Sequence, residues 1–399
     1  MATIRNLVLG GGGIAGALAY PGALKILRLN GILSKVERVV GTSVGAIVGL
    51  MVCLHFNDRE MRDYLTKIHF PSLQDGPYLP TTRLTNFTAK YGIYYGNKLL
   101  EVIKDILKMR DLSEDVTFAK LRERGYLDLY VTATKTYYCN NIEESKAVYF
   151  SWDTTPDTPI APVILASASA TPYFPRVRLE EKAEGTFIQV RDNNKGFAYS
   201  DGGFVDNLPI DTIFDAPEYC EAANHPYVNP ETLGLALSTP IEINPAQEKI
   251  ISAIPDNNPT AFIYALLYKG LANQTEKLKH PAHRDRTILI DRKGIKLADF
   301  DISVEKQKEL YASGIDATYQ YLKIAPQAAQ LSIQSAPLSL NNEIKIPPDE
   351  KNNFIMSATS NYSFWSSSSV ITSSETVSVE IENNSICKKE EKRQCIPWR

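Results

Sequence analysis

Residues 36–56 read VERVVGTSVGAIVGLMVCLHF, and this stretch decides the fold. Its β-branched beginning, Val36–Val40, predicts a strand, and its apolar continuation, Val44–Phe56, predicts a helix. The five residues Gly41-Thr42-Ser43-Val44-Gly45 join the two elements and form a GxSxG motif. A serine in a tight turn between a strand and a helix is typical of a nucleophile elbow, in which small flanking residues let the strand and the helix approach closely. GxSxG occurs by chance in many proteins, so its position between these elements is what makes Ser43 a candidate nucleophile.

A second strand, turn and helix precede this one. The apolar run Leu7–Leu9 stops at Gly10-Gly11-Gly12-Gly13-Ile14-Ala15-Gly16, and Ile14–Leu29 has helical periodicity. Because glycines lack Cβ atoms, their N–H groups can converge on one point and bind a phosphate or an oxyanion. A dinucleotide site would need GxGxxG with an acidic residue at the end of the next strand, whereas Glu37 precedes the main apolar residues of that strand. A Walker A loop would need a Gly-Lys-Ser/Thr sequence that Ile14-Ala15-Gly16 does not supply, so an oxyanion hole is favoured.

These two β-α units predict an α/β fold. Parallel strands joined in this way lie in a sheet with helices on both faces, which gives a three-layer α/β/α core around a central, mostly parallel sheet. Further strands are predicted at Leu127–Ala133, Ala147–Trp152, Gly196–Ser200, Leu233–Ser238 and Arg286–Asp291. Further helices are predicted at Lys98–Lys108, Pro162–Ala170, 258–278 and 303–323.

Asp201-Gly202-Gly203 follows a predicted strand and by itself is typical of a tight turn. Its significance depends on Ser43, because a serine nucleophile needs a base. None of the five histidines has a convincing setting: His55 would lie roughly 18 Å along the helix from Ser43, and the others occupy proline-containing stretches. The alternative is a carboxylate that contacts the serine directly, as base when the hydroxyl attacks and as acid when the leaving group departs. Asp201 fits this role, which predicts a Ser43–Asp201 dyad.

The composition is that of a soluble globular protein, with 44% hydrophobic and 22% charged residues. A formal net charge of −3 gives no general attraction to nucleic acid, so no nucleic-acid partner is expected. Five cysteines without a CxxC pair argue against a zinc site or a disulfide framework. The short apolar run near the N-terminus does not resemble a signal peptide, and Val44–Phe56 is too short to cross a bilayer. We therefore expect a soluble, cytoplasmic protein that is peripheral to any membrane on which it is active.

The chain is predicted to contain a catalytic domain and a tail. The catalytic domain covers residues 1–325, with the motifs in a core at 7–215 and a helical C-terminal part at 240–325. Beyond it, Ser357–Ser374 is rich in Ser and Thr, and the chain ends in the charged sequence KKEEKRQCIPWR. Such a composition buries too little apolar surface to offset the entropy of ordering, so residues 326–399 are predicted to be a flexible polar tail.

Several longer segments around the three motifs resemble the patatin-like phospholipase family. They are YPGALKILRLNGI at 20–32, GTSVGAIVGL at 41–50, ILASASATPYFPRV at 164–177, YSDGGFVDNLPID at 199–211 and RTILIDRKGIKLADFDIS at 286–303. The resemblance covers about residues 4–325. It implies an α/β/α fold and a serine carboxylic-ester hydrolase that acts on phospholipids, lysophospholipids or neutral lipids without a metal or an organic cofactor.

The resemblance also implies a role for each motif residue. Ser43 would form the acyl-enzyme, Asp201 would act as general base and then acid, and the N–H groups of Gly11, Gly12 and Gly13 would hold the oxyanion. The other motif glycines are Gly16, Gly41, Gly45, Gly202 and Gly203.

One position departs from the family pattern, because Ala15 stands where many members carry Arg or Lys. The basic side chain that would bind a phosphate group in those members is therefore missing at this position. Lys25 and Arg176 are candidates to replace it. An alternative function is therefore a catalytically weak patatin scaffold that binds lipids or proteins. The expected partners are a phospholipid or other lipid ester at a membrane surface and a protein activator, since several bacterial members are delivered into host cells and need one.

Overall fold

A computed structural model describes residues 2–77, 82–83, 92–139, 142–192, 195–216, 228–238, 273–297 and 299–323. Its strands are β1 Asn6–Leu9, β2 Arg38–Thr42, β3 Asp128–Cys139, β4 Ile142–Phe150, β5 Val177–Ala183, β6 Thr186–Gln189, β7 Phe197–Asp201, β8 Thr232–Ser238 and β9 Thr287–Asp291. Its helices are α1 Gly13–Leu29, α2 Val44–Cys53, α3 Asp58–Leu65, α4 Asn97–Lys108, α5 Phe118–Glu123, α6 Ile160–Ser167, α7 Pro281–Asp285 and α8 Val304–Leu322.

The strands form one sheet with the order β6-β5-β7-β3-β2-β1-β8-β9, and β4 pairs with β3 beside this path. The five strands β3, β2, β1, β8 and β9 are parallel to one another. At the other end of the sheet, β4, β5, β6 and β7 make antiparallel pairs. The parallel strands follow β-α connections, whereas antiparallel neighbours need only short turns. The predicted α/β class with a central, mostly parallel sheet is confirmed.

Both faces of the sheet are covered, as the three-layer prediction requires. Neighbouring residues of a strand point to opposite faces. Leu7 and Leu9 of β1 accordingly join the large core that includes α1, α2, α4 and α6, whereas Val8 joins a second core on the other face. That second core contains Phe214 and Ile210, which follow β7 in the chain. The three-layer α/β/α arrangement is therefore confirmed.

Some predicted boundaries were wrong. The helix expected to reach Phe56 ends at Cys53, and His55 adopts a left-handed backbone conformation with a φ of 57°. A new helix, α3, begins directly afterwards. Its start has a recognisable signal, because the Asn57 side chain accepts from the Glu60 N–H and the Glu60 carboxylate accepts from the Asn57 N–H.

The hairpin of β5 and β6 was missed altogether. β5 alternates only over Val177–Leu179 and continues into charged, exposed residues, and β6 has only four residues, so the alternation is too short to indicate a hairpin. Gly185 lies in the turn between them with a φ of 69°, a conformation that glycine adopts readily. This turn is a second local indication of the hairpin.

Several predictions lie outside the described residues. They include most of the predicted helix at 258–278, of which the helical residues 273–278 are described, and the whole tail at 326–399. The domain boundary therefore stays a prediction. Among the described helices, none combines the length and the apolar character that crossing a membrane requires.

Candidate active site

Ser43 occupies the turn between β2 and α2, where the strand and helix were predicted to meet. Its backbone has a φ of 56° and a ψ of −127°, an unfavourable conformation for a residue with a side chain. Two hydrogen bonds hold it: the Ser43 N–H donates to Ser167 Oγ at 2.9 Å, and the Ser43 carbonyl accepts from the Ala46 N–H at 2.9 Å. The turn is therefore a strained elbow that lifts the Ser43 side chain away from the sheet.

The two glycines of GxSxG are required by close contacts. A Cβ atom at Gly45 would collide with the carbonyl oxygen of Leu9 in β1, and one at Gly41 would collide with the carbonyl oxygen of Gly45. Strand β2 and helix α2 thus come together as closely as the sequence predicted.

Asp201 lies at the end of β7 and is placed directly against Ser43. Ser43 Oγ donates a hydrogen bond of 2.5 Å to Asp201 Oδ2, while the Gly203 N–H donates one of 2.7 Å to Asp201 Oδ1. Gly202, between Asp201 and Gly203 in the chain, packs against Thr132 of β3. Asp201 is buried, and this burial raises its pKa to about 6 although the hydrogen bonds from Ser43 and Gly203 act in the opposite direction. A carboxylate with such a pKa is ionised at neutral pH and is still a useful base.

The glycine loop joins β1 to α1 beside Ser43. The Gly11 N–H donates to the Asn207 carbonyl at 3.1 Å, so it is already engaged and its predicted oxyanion role is not supported. For the N–H groups of Gly12 and Gly13, no acceptor occurs among the described residues, and both glycines border the same cavity as Ser43. Their oxyanion role stays a prediction. Gly16, one turn into α1, packs against Val44 at the start of α2.

Ser43 and Asp201 border an apolar cavity. Helices α1 to α4 contribute apolar side chains to its lining, among them Ala17, Ile47, Leu65, Leu99 and Val102. Tyr173, Phe174 and Phe300 add aromatic surface, and the Phe300 ring centroid lies 6.0 Å from that of Tyr173 and 6.3 Å from that of Phe174. An apolar lining of this kind suits a hydrocarbon chain, because burial of apolar surface is favourable by about 25 cal/mol per Å².

Charged groups other than Asp201 do not line the described part of this cavity. Ala15 is buried in α1, and neither Lys25 nor Arg176 borders the cavity, so the suggested substitution for the missing cation is not supported. The four described histidines, His55, His69, His280 and His283, also lie elsewhere. His225 lies outside the described residues. In the part of the chain that the structure describes, no cluster of three or more His, Cys, Asp or Glu side chains is arranged to hold a metal ion.

Two residues at the site were not anticipated from the sequence. Ser167 ends α6 and accepts the hydrogen bond from the Ser43 N–H, and Asn207 contacts the glycine loop. Both lie inside segments that resemble family blocks, 164–177 and 199–211. Their polar side chains in otherwise apolar or turn-forming stretches were the available signal, but their partners are distant in the sequence.

Comparison with known proteins agrees with this geometry. A family model described as patatin-like phospholipase matches residues 7–214, which is more than half of the chain. The chain belongs to the patatin-like phospholipase family. Membership supports a lipid hydrolase activity in general. The matched region begins in β1 and contains all three motifs.

Two curated relatives of this patatin-like protein carry the name uncharacterized protein. One, from Acanthamoeba polyphaga mimivirus, is 26% identical over 324 residues, which cover 80% of this chain and 94% of the relative. Another, the uncharacterized protein YqhO of Bacillus subtilis (strain 168), is 26% identical over 208 residues, which cover 51% of this chain and 64% of YqhO.

Solved structures with a similar fold include two bacterial proteins. VipD from Legionella pneumophila matches with a TM-score of 0.47 and 16% identity, over 80% of this chain and 67% of VipD. ExoU from the type III secretion system of Pseudomonas aeruginosa, solved in complex with SpcU, matches with a TM-score of 0.41 and 17% identity. That match covers 80% of this chain and 53% of ExoU, so the chain spans about half of ExoU's length. These similarities concern the fold alone.

Proposed function

We propose that this protein is a serine carboxylic-ester hydrolase of the phospholipase A or lysophospholipase type, with Ser43 as nucleophile and Asp201 as its catalytic partner. The observation that carries the proposal is the 2.5 Å hydrogen bond from Ser43 Oγ to Asp201 Oδ2 at the edge of an apolar cavity. A hydroxyl that already donates to a buried carboxylate is poised to lose its proton.

In the proposed reaction, Asp201 accepts the Ser43 proton as Oγ attacks the ester carbonyl carbon. A tetrahedral intermediate forms, and its oxyanion accepts hydrogen bonds from the N–H groups of Gly12 and Gly13. The C–O bond to the leaving alcohol then breaks, and Asp201 returns the proton to the alcohol oxygen. The acyl group remains on Ser43. Water, deprotonated by Asp201, attacks the acyl-enzyme, and the fatty acid leaves as Ser43 regains its proton.

The proposed substrate class follows from the cavity. Its apolar described lining suits the acyl chain of a lipid, and Ser43 at its edge suits the ester carbonyl where that chain begins. We propose that the substrate is taken from a membrane surface, where lipid esters are concentrated. A protein activator and delivery into a host cell, both suggested by the resemblance, stay predictions.

The proposal is tested by fatty-acid release from phospholipid vesicles and from a mixed lipid extract, with the products identified by mass spectrometry. We expect Ser43→Ala and Asp201→Asn to lose release by at least about 1,000-fold while keeping a native circular dichroism spectrum. Matched controls are Ser34→Ala and Asp115→Asn, which change exposed residues outside the cavity and are expected to leave release unchanged.

Two results would contradict the proposal. Retained release in Ser43→Ala or Asp201→Asn would exclude the dyad. A wild-type protein that binds vesicles but releases no fatty acid from any lipid fraction would instead support the alternative, a patatin scaffold that acts as a binding module.

A further inference from the structure

Asn207 contacts Gly11 of the glycine loop through both its backbone and its side chain. Its carbonyl accepts from the Gly11 N–H at 3.1 Å, and its Nδ2 donates to the Gly11 carbonyl at 3.3 Å. The residue is buried and borders the cavity. The N–H and the carbonyl of Gly11 are therefore both bound by a residue that lies far away in the sequence.

The orientation of the Asn207 amide is determined by its neighbours. Gln274 Nε2 donates to the Leu237 carbonyl at 2.9 Å, and a backbone carbonyl can only accept. Gln274 Oε1 must then face Asn207, whose Nδ2 donates to it at 2.7 Å. The same Nδ2 also donates to the Gly11 carbonyl. Hydrogen bonds thus link β8, Gln274, Asn207 and the glycine loop, and Asn207 is the donor to both of its neighbours.

These hydrogen bonds fix the direction of the next N–H group. In a planar trans peptide, the C=O of one residue and the N–H of the following residue point in opposite directions. Because the Gly11 carbonyl points to the Asn207 amide, the Gly12 N–H points away from it. The preceding peptide is held as well, since the Gly10 carbonyl accepts from the Tyr20 hydroxyl at 2.7 Å. The Gly12 N–H is therefore oriented before any substrate arrives.

Asn207 also connects the glycine loop to the turn that carries Asp201. A Cβ atom placed on Gly203 would lie 2.8 Å from Asn207 Oδ1 and 3.0 Å from Asp201 Oδ1. The segment from Asp201 to Asn207 thus presents its carboxylate to Ser43 at one end and its amide to the glycine loop at the other. The same segment therefore positions both the proposed catalytic carboxylate and the glycine loop.

We propose that Asn207, held by Gln274, is a positioning residue that orients the Gly11–Gly12 peptide so that the Gly12 N–H stabilises the oxyanion. The inference rests on the proposed function, because an oxyanion forms only if Ser43 attacks an ester. A donor that is oriented in advance costs no reorganisation in the transition state. Loss of Asn207 should therefore lower kcat and leave KM nearly unchanged.

The test compares Asn207→Leu and Gln274→Leu with Asn229→Leu as a matched control. Leucine has nearly the shape of asparagine and adds no charge near Asp201. Asn229 is equally buried, its amide donates to the Phe214 carbonyl at 2.7 Å and its Oδ1 accepts from the Glu231 N–H at 2.8 Å, but it does not border the cavity. The measurements are kcat and KM on a p-nitrophenyl ester, the melting temperature, and Ki for a trifluoromethyl ketone, which forms an oxyanion on a serine nucleophile.

We expect Asn207→Leu to lower kcat roughly 10- to 100-fold, with Ki for the ketone raised by a similar factor. Gln274→Leu should show a smaller effect of the same kind. Asn229→Leu should lower the melting temperature but keep kcat and Ki within about twofold of the wild-type values, which separates positioning from stability.

The inference is overturned if Asn207→Leu keeps kcat and Ki within about twofold of wild type, or if Asn229→Leu changes both as much. Should Asn207→Leu fail to fold, Gln274→Leu decides by the same two quantities. A wild-type protein that neither hydrolyses the ester nor binds the ketone would overturn the proposed function and this inference together, whereas an active wild type with unaffected variants overturns the inference alone.

Discussion

Ser43 Oγ lies 2.5 Å from Asp201 Oδ2, and it is the Asp201 carboxyl whose pKa is raised by burial to about 6. The contact and the pKa have one origin, because β7 ends inside the core and carries Asp201 to the elbow after β2. A buried carboxylate holds its proton more tightly than an exposed one. Asp201 is thus a stronger base than an ordinary aspartate and remains ionised at neutral pH.

The activity should depend on pH through this group. As general base, Asp201 must be ionised, so kcat/KM on a p-nitrophenyl ester is expected to be constant above pH 7 and to fall tenfold per pH unit well below about 6. Circular dichroism at each pH shows whether the protein is still folded. A folded enzyme whose kcat/KM stays constant down to pH 4 would contradict the assignment of Asp201.

The same pKa predicts a cost in stability. A carboxyl whose folded pKa exceeds its unfolded value stabilises the fold while protonated, and this contribution is lost as the pH rises through about 6. Asparagine does not titrate, so Asp201→Asn lacks this loss. The unfolding free energy of Asp201→Asn minus that of wild type should therefore increase from pH 4 to pH 8, by up to about 3 kcal/mol.

Urea denaturation at both pH values measures this difference, and the exposed Asp115→Asn is the control. If Asp201→Asn and Asp115→Asn show the same pH dependence relative to wild type, the buried carboxylate does not carry the predicted cost.

Much of this arrangement was predictable because its signals are local. The GxSxG turn needs glycines at fixed spacing, so strand β2, helix α2 and the elbow at Ser43 followed from a few adjacent residues. Asp201 was predictable because Asp-Gly-Gly follows a predicted strand and none of the histidines is suitably placed to act as the base. Asn207 and Ser167 were missed because their functions arise from contacts with Gly11 and Ser43, which are distant in the chain. The engaged Gly11 N–H was unpredictable for the same reason.

Ser167 should control the geometry of the nucleophile. Ser167→Ala removes the acceptor of the Ser43 N–H, which is expected to cost about 1–3 kcal/mol of unfolding free energy and to lower kcat roughly tenfold as the strained elbow relaxes. Ser169→Ala is the matched control, since Ser169 is also buried and its hydroxyl only donates to the Leu165 carbonyl. Equal kcat values in the two variants would show that the Ser167 contact does not position Ser43.

The cavity should select substrates by acyl-chain length. Val102 of α4 lines it, so Val102→Phe is expected to lower kcat/KM for a p-nitrophenyl palmitate roughly tenfold relative to the butyrate. Val304→Phe places the same side chain at an exposed position at the start of α8 and should leave the ratio unchanged. An unchanged palmitate-to-butyrate ratio in Val102→Phe would mean that the acyl chain lies elsewhere.

The most direct test of the Ser43–Asp201 dyad is the site and rate of labelling by a fluorophosphonate, which bonds covalently to an activated serine. Peptide mapping by mass spectrometry should find one adduct, on Ser43, that is absent from Ser43→Ala and forms at least about 100-fold more slowly in Asp201→Asn. An active wild-type protein that is labelled on another serine, or an Asp201→Asn variant labelled at the wild-type rate, would contradict the account.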